Sequence, residues 1–266
     1  MHPILQSINE FCQVKNVGNA FYNTLEPTPR VKFISDLLER YGIEYVIDEF
    51  DDLGTKLYNI VMKGESKRMV IAHHDIINPN SQNANDNSAS VINAIYLKYL
   101  VPEINVVITD AEEVGFRGAK RLAEQITEGE FGEIEWVLNL ELSGKGGKNF
   151  MIGSHQGKLT EHIKNLFDPP IHPTPGSDCY ILSRYGIDTN VINPLPILLE
   201  GESSIKTSEG YLDNSSWWLC HSDDDTLDKI SINDMEEFVS GVLVPIVKYQ
   251  KILFSNKKRI RRRGNK

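Results

Sequence analysis

Apolar and polar residues alternate along the chain with periods that predict helices and strands in turn. An apolar-periodic stretch that begins at Thr28-Pro29 and stops at Gly42 predicts a helix, because threonine followed by proline starts helices and glycine ends them. Strand-like runs at 43–50 and 55–62 flank Asp51-Asp52-Leu53-Gly54, which is typical of a hairpin turn. The chain therefore starts with a helix and a hairpin.

The rest of the pattern predicts strands that alternate with helices. We expect strands at 68–72, 105–109, 136–142, 149–152 and 189–192, and helices at 88–100, 117–126, 178–184 and 231–251. Such alternation is typical of a mostly parallel sheet with helices on both faces. The prediction is a three-layer α/β fold whose sheet is made mixed by the early hairpin. Ligands in such folds bind beyond the carboxyl ends of the strands.

The composition narrows the class of protein. Hydrophobic residues make up 40% of the 266 residues and charged residues 24%, as in ordinary globular proteins. No apolar run approaches the roughly 18 residues that a membrane span needs, and the first residues do not form a secretory signal. Three cysteines (Cys12, Cys179 and Cys220) are too few and too scattered for a disulfide framework or a thiolate zinc site. We therefore expect a cytoplasmic protein that does not associate with membranes.

The charge is unevenly distributed between the body and the C-terminus. The formal net charge is −9, but residues 257–266 contain seven of the 28 lysines and arginines and no acid. The remaining 21 basic residues stand against 37 acids, a balance of −16 that argues against nucleic-acid binding. No linker divides the rest, so we predict one domain at 1–256 and a basic, disordered tail at 257–266. The alternative for the tail is an electrostatic tether to an acidic partner.

The first cluster of metal-binding side chains follows the predicted strand at 68–72. In His73-His74-Asp75 the first and third residues point to the same side, so Asp75 can accept a hydrogen bond from one ring nitrogen of His73. Such a carboxylate fixes the tautomer and directs the other nitrogen at a metal. The alternative is a pair of solvated loop histidines.

Two acidic clusters follow, each at the start of a predicted helix. Asp86 lies in the segment 83–89, where either it or Ser88 could simply be an N-cap. Glu112 and Glu113 follow the strand at 105–109, where acids at a strand end repel one another unless a cation compensates them. Adjacent glutamates point in different directions, so one can bind a metal while the other faces a bound water. The alternative is a charged helix start, which the helix dipole favours.

Glu141 and His221 complete the set of candidates. Glu141 lies at the end of the strand predicted at 136–142, where a carboxylate would be buried without a partner, and His221 precedes an acidic run. Two histidines and three or four carboxylates, each at the end of a different core element, suit two zinc-like ions with open positions for water. A carboxylate beside them without a metal contact suits a general base.

Together these motifs resemble the co-catalytic di-zinc aminopeptidases of clan MH, which include relatives of glutamate carboxypeptidase II and glutaminyl cyclase. The resemblance covers roughly residues 73–230 and implies a single zinc-peptidase-like domain. It implies that Glu112 is the general base and that Asp75 orients a ligand, with Asp86 bridging two zinc ions and commonly preceding a cis peptide bond. The implied metal ligands are His73, Asp86, Glu113, Glu141 and His221; the implied supporting residues are Ser177, Asp178, Thr226 and Asp228.

The resemblance implies a hydrolase of peptides or amino-acid amides, with cobalt or manganese as alternatives to zinc. Glu141 stands where aminopeptidases usually have aspartate, and glutamate there is more typical of relatives that act on carboxypeptidase or N-acyl-amide substrates. Cys220 precedes His221 where some relatives have a tyrosine that stabilises the oxyanion, a role that Tyr180 or Tyr211 could take over. Further alternatives are a glutaminyl cyclase-like acyltransferase, which would have one metal and lack the histidine at 73, and a non-catalytic scaffold. The sequence predicts no oligomeric state.

Overall fold

A seven-stranded mixed sheet forms the centre of the protein. The computed structural model describes residues 1–14, 28–174, 176–194 and 220–249. In this part of the chain the strand order is β1-β2-β4-β3-β5-β7-β6. The strands are β1 (Val46–Asp52), β2 (Thr55–Met62), β3 (Arg68–His73), β4 (Asn105–Thr109), β5 (Trp136–Leu140), β6 (Phe150–Ile152) and β7 (Thr189–Pro194).

Helices cover both faces of this sheet. They are α1 (Pro3–Gln6), α2 (Ile8–Phe11), α3 (Pro29–Arg40), α4 (Ala89–Leu100), α5 (Arg117–Thr127), α6 (Lys158–Phe167), α7 (Asp178–Arg184), α8 (Ile232–Phe238) and α9 (Val244–Lys248). The predicted cap of α3 is present, since Thr28 Oγ1 accepts a hydrogen bond from Val31 N at 3.3 Å. None of the helices in the described ranges is long and apolar enough to cross a bilayer.

The direction of the strands brings three of their carboxyl ends together. β3 pairs in parallel with β4 on one side and with β5 on the other, and β5 pairs in parallel with β7. Only the flanking pairs β1–β2, β2–β4 and β6–β7 are antiparallel. The segments that follow β3, β4 and β5 therefore leave the sheet side by side at one edge.

Alternate residues of the central strands pack against different helical layers. On β3, Val70 and Ala72 belong to the larger apolar cluster, together with residues of α4. Met69 and Ile71 face the other way and pack with Leu122 of α5. Because apolar side chains alternate between two covered faces, the predicted three-layer α/β fold is confirmed.

The hairpin turn is tighter than the sequence predicted. Asp51 and Asp52 pair with Lys56 and Thr55 across the sheet, so only Leu53-Gly54 forms the turn. Both turn residues have positive φ, 55° and 79°, as a two-residue turn that matches the strand twist requires. The two aspartates suggested a longer turn because the type of residue alone does not show that they have cross-strand partners.

Other boundaries also differ from the prediction. The first strand begins at Val46 instead of residue 43, the strand predicted at 136–142 ends at Leu140, and residues 239–243 of the C-terminal helix form a π-helical turn. The helices α1, α2 and α6 were not predicted. Asp188 accepts hydrogen bonds from the first two backbone N–H groups of α6, at 2.6 and 3.4 Å, so this start signal lies about thirty residues away in sequence. The basic tail at 257–266 is outside the described residues.

Lys98 gives a prediction for stability. Its Nζ donates hydrogen bonds to the carbonyl oxygens of Lys63, Pro102 and Ile104 at 2.8, 2.6 and 2.8 Å, and burial lowers its pKa to about 8. Lys98→Met keeps an apolar stem but removes the donor for three carbonyls. We expect the free energy of unfolding to fall by about 2–4 kcal/mol, measured by urea denaturation. The matched control is Lys120→Met on the exposed side of α5; equal effects of the two substitutions would contradict the prediction.

Candidate active site

Three parallel strands deliver acidic and imidazole side chains to one edge of the sheet. His73 is the last residue of β3, Glu112 and Glu113 follow β4, and Glu141 follows β5 directly. Because β3 lies between β4 and β5, these residues come together although up to 68 positions separate them in sequence. The sequence predicted that side chains at these strand ends meet, and they do so because the three strands run parallel.

Asp86 lies between two histidines. Its Oδ1 is 3.5 Å from His73 Nε2, and its Oδ2 is 3.5 Å from His221 Nε2. The peptide bond from Asp86 to Asn87 is cis, as the resemblance implied. One carboxylate therefore faces two imidazoles through its two different oxygens.

The cluster divides into two groups that share Asp86. The first donor group is His73, Asp86 and Glu141, in which Glu141 Oε2 lies 3.5 Å from His73 Nε2. The second donor group is His221, Asp86 and Glu113, in which Glu113 Oε2 lies 2.9 Å from His221 Nε2. The structure thus brings all five predicted ligand residues together.

Asp75 contacts both the first histidine and the segment that carries the two glutamates. Its Oδ1 lies 3.3 Å from His73 Nδ1, a contact outside regular hydrogen-bond geometry. The same carboxylate accepts hydrogen bonds from the backbone N–H groups of Glu112 and Glu113 at 3.0 and 3.1 Å. Asp75 therefore fixes the backbone of Glu112 and Glu113 and also faces the imidazole of His73. The sequence predicted the contact with His73 but not the hydrogen bonds from the two glutamates.

Two asparagines that sequence reasoning missed hold Glu141. Asn139 Nδ2 donates to Glu141 Oε1 at 3.1 Å, and Asn87 Nδ2 donates to Glu141 Oε2 at 2.8 Å. Asn139 could have been found from the sequence, because it is the one polar residue in the otherwise apolar strand Trp136–Leu140. These amides fix the orientation of a carboxylate that is almost completely buried.

A third residue that was missed, Asp225, holds the loop of Asp86. Its carboxylate accepts hydrogen bonds from the backbone N–H groups of Asn85 and Asp86 at 2.8 and 2.9 Å. Thr226 and Asp228, the supporting pair implied by the resemblance, hydrogen-bond to each other and belong to neither donor group. Asp225 is the last of three consecutive aspartates, and the local sequence does not show which of the three is buried.

The other residues considered from the sequence lie outside the two donor groups. Asp178 is buried at the start of α7, where it accepts a hydrogen bond from Thr109 Oγ1 at 2.5 Å and burial raises its pKa to about 7. Two histidines that the sequence did not mark as candidates also lie outside these groups: His155 contacts Cys179, and His162 contacts the carbonyl oxygen of Ile246. Tyr180 is 47% exposed and does not line the cavity at the donor groups. Tyr211 falls outside the described residues.

The cluster has more negative charge than the histidines can balance. Burial raises the pKa of the Glu112 carboxyl well above its usual range, and the nearby Glu141 and Asp178 raise it further. Burial also raises the pKa values of Glu113 and Glu141. Glu113 Oε1 is buried and has no hydrogen-bond partner among the described residues. Excess carboxylates, an unpartnered oxygen and two imidazoles form a donor set that fits divalent ions of the zinc type.

A cavity of about 330 Å³ opens above the donor groups. Phe116, Leu142 and Val191 are apolar lining residues, and Glu112 also lines the cavity. No lysine or arginine lines the cavity in the part of the chain that the structure describes. The lining of the cavity therefore combines apolar side chains with carboxylates.

Comparisons with known proteins agree with this architecture. The family model of peptidase family M28 matches residues 59–244, which include every predicted site residue. The chain belongs to peptidase family M28, and the resemblance predicted from its motifs is confirmed. No curated protein matches the sequence.

Solved structures share the fold at low sequence identity. The LapA aminopeptidase of Legionella pneumophila is 13% identical, with a TM-score of 0.67 over 93% of this chain and 71% of that chain. The glutaminyl cyclase of Porphyromonas gingivalis is 16% identical, with a TM-score of 0.66 over 91% and 96% of the two chains. BSAP, a zinc aminopeptidase from Bacillus subtilis, is 20% identical, with a TM-score of 0.54 over 74% and 51%.

Proposed function

We propose that this protein is a two-zinc aminopeptidase that removes the first residue from peptides or amino-acid amides. The observation that carries the proposal is the position of Asp86, whose two oxygens each lie 3.5 Å from a different imidazole. A carboxylate placed in this way suits a ligand shared by two neighbouring ions. Membership of a peptidase family and the fold of zinc aminopeptidases support the same proposal.

The donor groups assign ligands to each ion. His73, Asp86 and Glu141 would hold the first ion, and Asp86, Glu113 and His221 would hold the second. When bound, zinc ions lower the pKa of a coordinated water to about 7 and polarise a substrate carbonyl. The three protein ligands of the first ion would leave a position open for water.

Glu112 is the proposed general base. Its carboxylate lines the cavity and makes no hydrogen bond or ion pair within the described residues, while Asp75 fixes its backbone N–H. It accepts a proton from the attacking water and then donates that proton to the leaving nitrogen. Because Asp75 also faces His73, one side chain sets the position of the base relative to the first donor group.

The lining of the cavity favours a substrate with a free amino group. Its four acids (Asp86, Glu112, Glu113 and Glu141) offer carboxylate oxygens that can accept hydrogen bonds from an amine, also when bound zinc ions balance their charge. A carboxypeptidase must bind the terminal carboxylate of its substrate, for which an arginine or lysine is the usual partner. Among the described residues the cavity offers neither, which favours the aminopeptidase despite the glutamate at position 141.

Metal removal and matched substrates test the proposal. We expect the purified protein to contain close to two equivalents of zinc, to lose activity on chelation and to regain it when zinc is added. Acetylation of the substrate amine should lower kcat/KM by at least ~10-fold, since one charged hydrogen bond contributes about 1.5–3 kcal/mol. A preference for N-acylated substrates, or for removal of the last residue, would instead identify an amidohydrolase or a carboxypeptidase.

The fold likeness to a glutaminyl cyclase supplies the second candidate function. Such an enzyme would cyclise an amino-terminal glutamine and release ammonia without consuming water. His73 argues against it, since this residue completes a first donor group that a single-metal cyclase does not need. One equivalent of zinc together with ammonia release from glutaminyl peptides would establish the cyclase and exclude the two-zinc peptidase.

A further inference from the structure

Cys220 places a sulfur atom beside the second donor group. Its Sγ lies 2.9 Å from Asp86 Oδ2 and donates a hydrogen bond to that oxygen. Donor atoms of Asp86, Cys220 and His221 all lie within 4.8 Å of one another, close enough to surround one ion. Cys220 is also part of the cavity lining.

A second observation marks the same place as a cation site. The side chain of Glu113 is only 5% exposed, and its Oε1 has no hydrogen-bond partner among the described residues. Its other oxygen lies 2.9 Å from His221 Nε2. A buried carboxylate oxygen needs a partner, and a cation supplies one where no N–H or O–H does.

We propose that Cys220 is a fourth protein ligand of the second ion, together with Asp86, Glu113 and His221. The inference rests on the proposed function, because that function supplies the ion. Tetrahedral coordination with bonds of about 2.0–2.3 Å separates ligand atoms by about 3.3–3.8 Å. Three of the six separations in this set, 2.9 Å between Cys220 and Asp86, 3.5 Å between Asp86 and His221 and 2.9 Å between His221 and Glu113, are close to that range. As the sulfur–metal bond forms, the thiol proton leaves to solvent, and no oxidation is involved.

A sulfur ligand would give the two ions different properties. Thiolate donors select zinc or cadmium over magnesium and manganese, which prefer oxygen. Four protein ligands also close the second position, whereas the three ligands of the first donor group leave a position open. The first ion would therefore exchange more readily and bind a water more readily.

The competing account is that the thiol stays protonated and only orients Asp86. Cys220→Ser distinguishes the two accounts, because a serine hydroxyl can donate the same hydrogen bond to Asp86 but is a poor zinc ligand. Metal binding that survives this substitution unchanged would favour the orienting role. If Cys220 is a ligand, Cys220→Ser should bind one of the two zinc ions at least ~10-fold more weakly. This lower limit is the loss in metal affinity that is typical when a residue that only supports a ligand is replaced.

Cobalt substitution gives a readout that is independent of activity. We expect the full-length protein loaded with two cobalt ions to show a near-ultraviolet sulfur-to-cobalt charge-transfer band, and Cys220→Ser to lack it. The chain has three cysteines, so Cys12→Ala combined with Cys179→Ala leaves Cys220 as the only thiol and should retain the band. X-ray absorption of the zinc-loaded wild type should show a sulfur neighbour at about 2.3 Å, which requires no variant to fold.

The outcomes separate the two proposals. A wild-type protein that binds two ions without the cobalt band or the sulfur neighbour overturns the Cys220 assignment and leaves the peptidase proposal intact. A band that persists in Cys220→Ser also overturns the assignment. A protein that binds no metal overturns both proposals.

Discussion

Replacing Glu112 with glutamine should lower kcat by ~10²–10⁴-fold while the protein keeps both metal ions. Glutamine has nearly the shape of glutamate but cannot accept the proton of the attacking water at neutral pH. Within the described residues, the carboxylate of Glu112 forms no ion pair and accepts no hydrogen bond. The substitution therefore removes little besides the proton acceptor. Steady-state kinetics and metal analysis of the same sample measure the two quantities.

The neighbouring residue supplies the matched control. Glu113→Gln makes the same chemical change one position along the chain, but Glu113 Oε2 lies 2.9 Å from His221 Nε2 in the second donor group. We expect this variant to bind the second ion more weakly, because fewer ligands remain, and to lose activity as that ion dissociates. Loss of metal from Glu112→Gln would show that Glu112 is a ligand, and equal behaviour of the two variants would contradict the division of roles.

The sequence predicted the residues whose position follows from local pattern. His73, Glu112 and Glu141 each come within a few residues of the end of an apolar strand, and parallel strands bring such ends to one edge. The pattern therefore showed both the fold class and the place where the side chains meet. Their separation in sequence was no obstacle, because the topology of α/β folds determines which ends are neighbours.

The supporting residues could not be predicted, because their partners are distant in sequence and their residue types are common elsewhere. Asn87 holds Glu141 across 54 positions, and Asp225 holds the backbone of Asp86 across 139 positions. An asparagine in a loop and one aspartate in an acidic run are ordinary surface features until the fold buries them. The same reason explains α6, whose start depends on the distant Asp188.

Asp86→Ala should have the most severe effect on metal content, because Asp86 is the one residue common to both donor groups. Its loss leaves the first ion with only His73 and Glu141, two protein ligands where zinc sites have at least three. The second ion keeps His221 and Glu113, and Cys220 as well if that residue is a ligand. We expect the first ion to be lost on dialysis and the second to bind more weakly. Activity should fall by at least ~10³-fold, since the ions contribute several kcal/mol to the barrier.

The same substitution should leave the fold intact, which separates loss of metal from loss of structure. Asp86 is nearly buried, and although burial opposes its charge, contacts with His73, Cys220 and His221 lower the pKa of its carboxyl, so alanine should lower the melting temperature of the metal-free protein without unfolding it at room temperature. Asp224→Ala, at an exposed acid in the same region, is the control and should retain two ions. If Asp86→Ala bound both ions as tightly as the wild type does, Asp86 would not be a shared ligand and the proposed geometry would be wrong. Metal analysis after dialysis, with thermal melts of chelated samples, distinguishes these results.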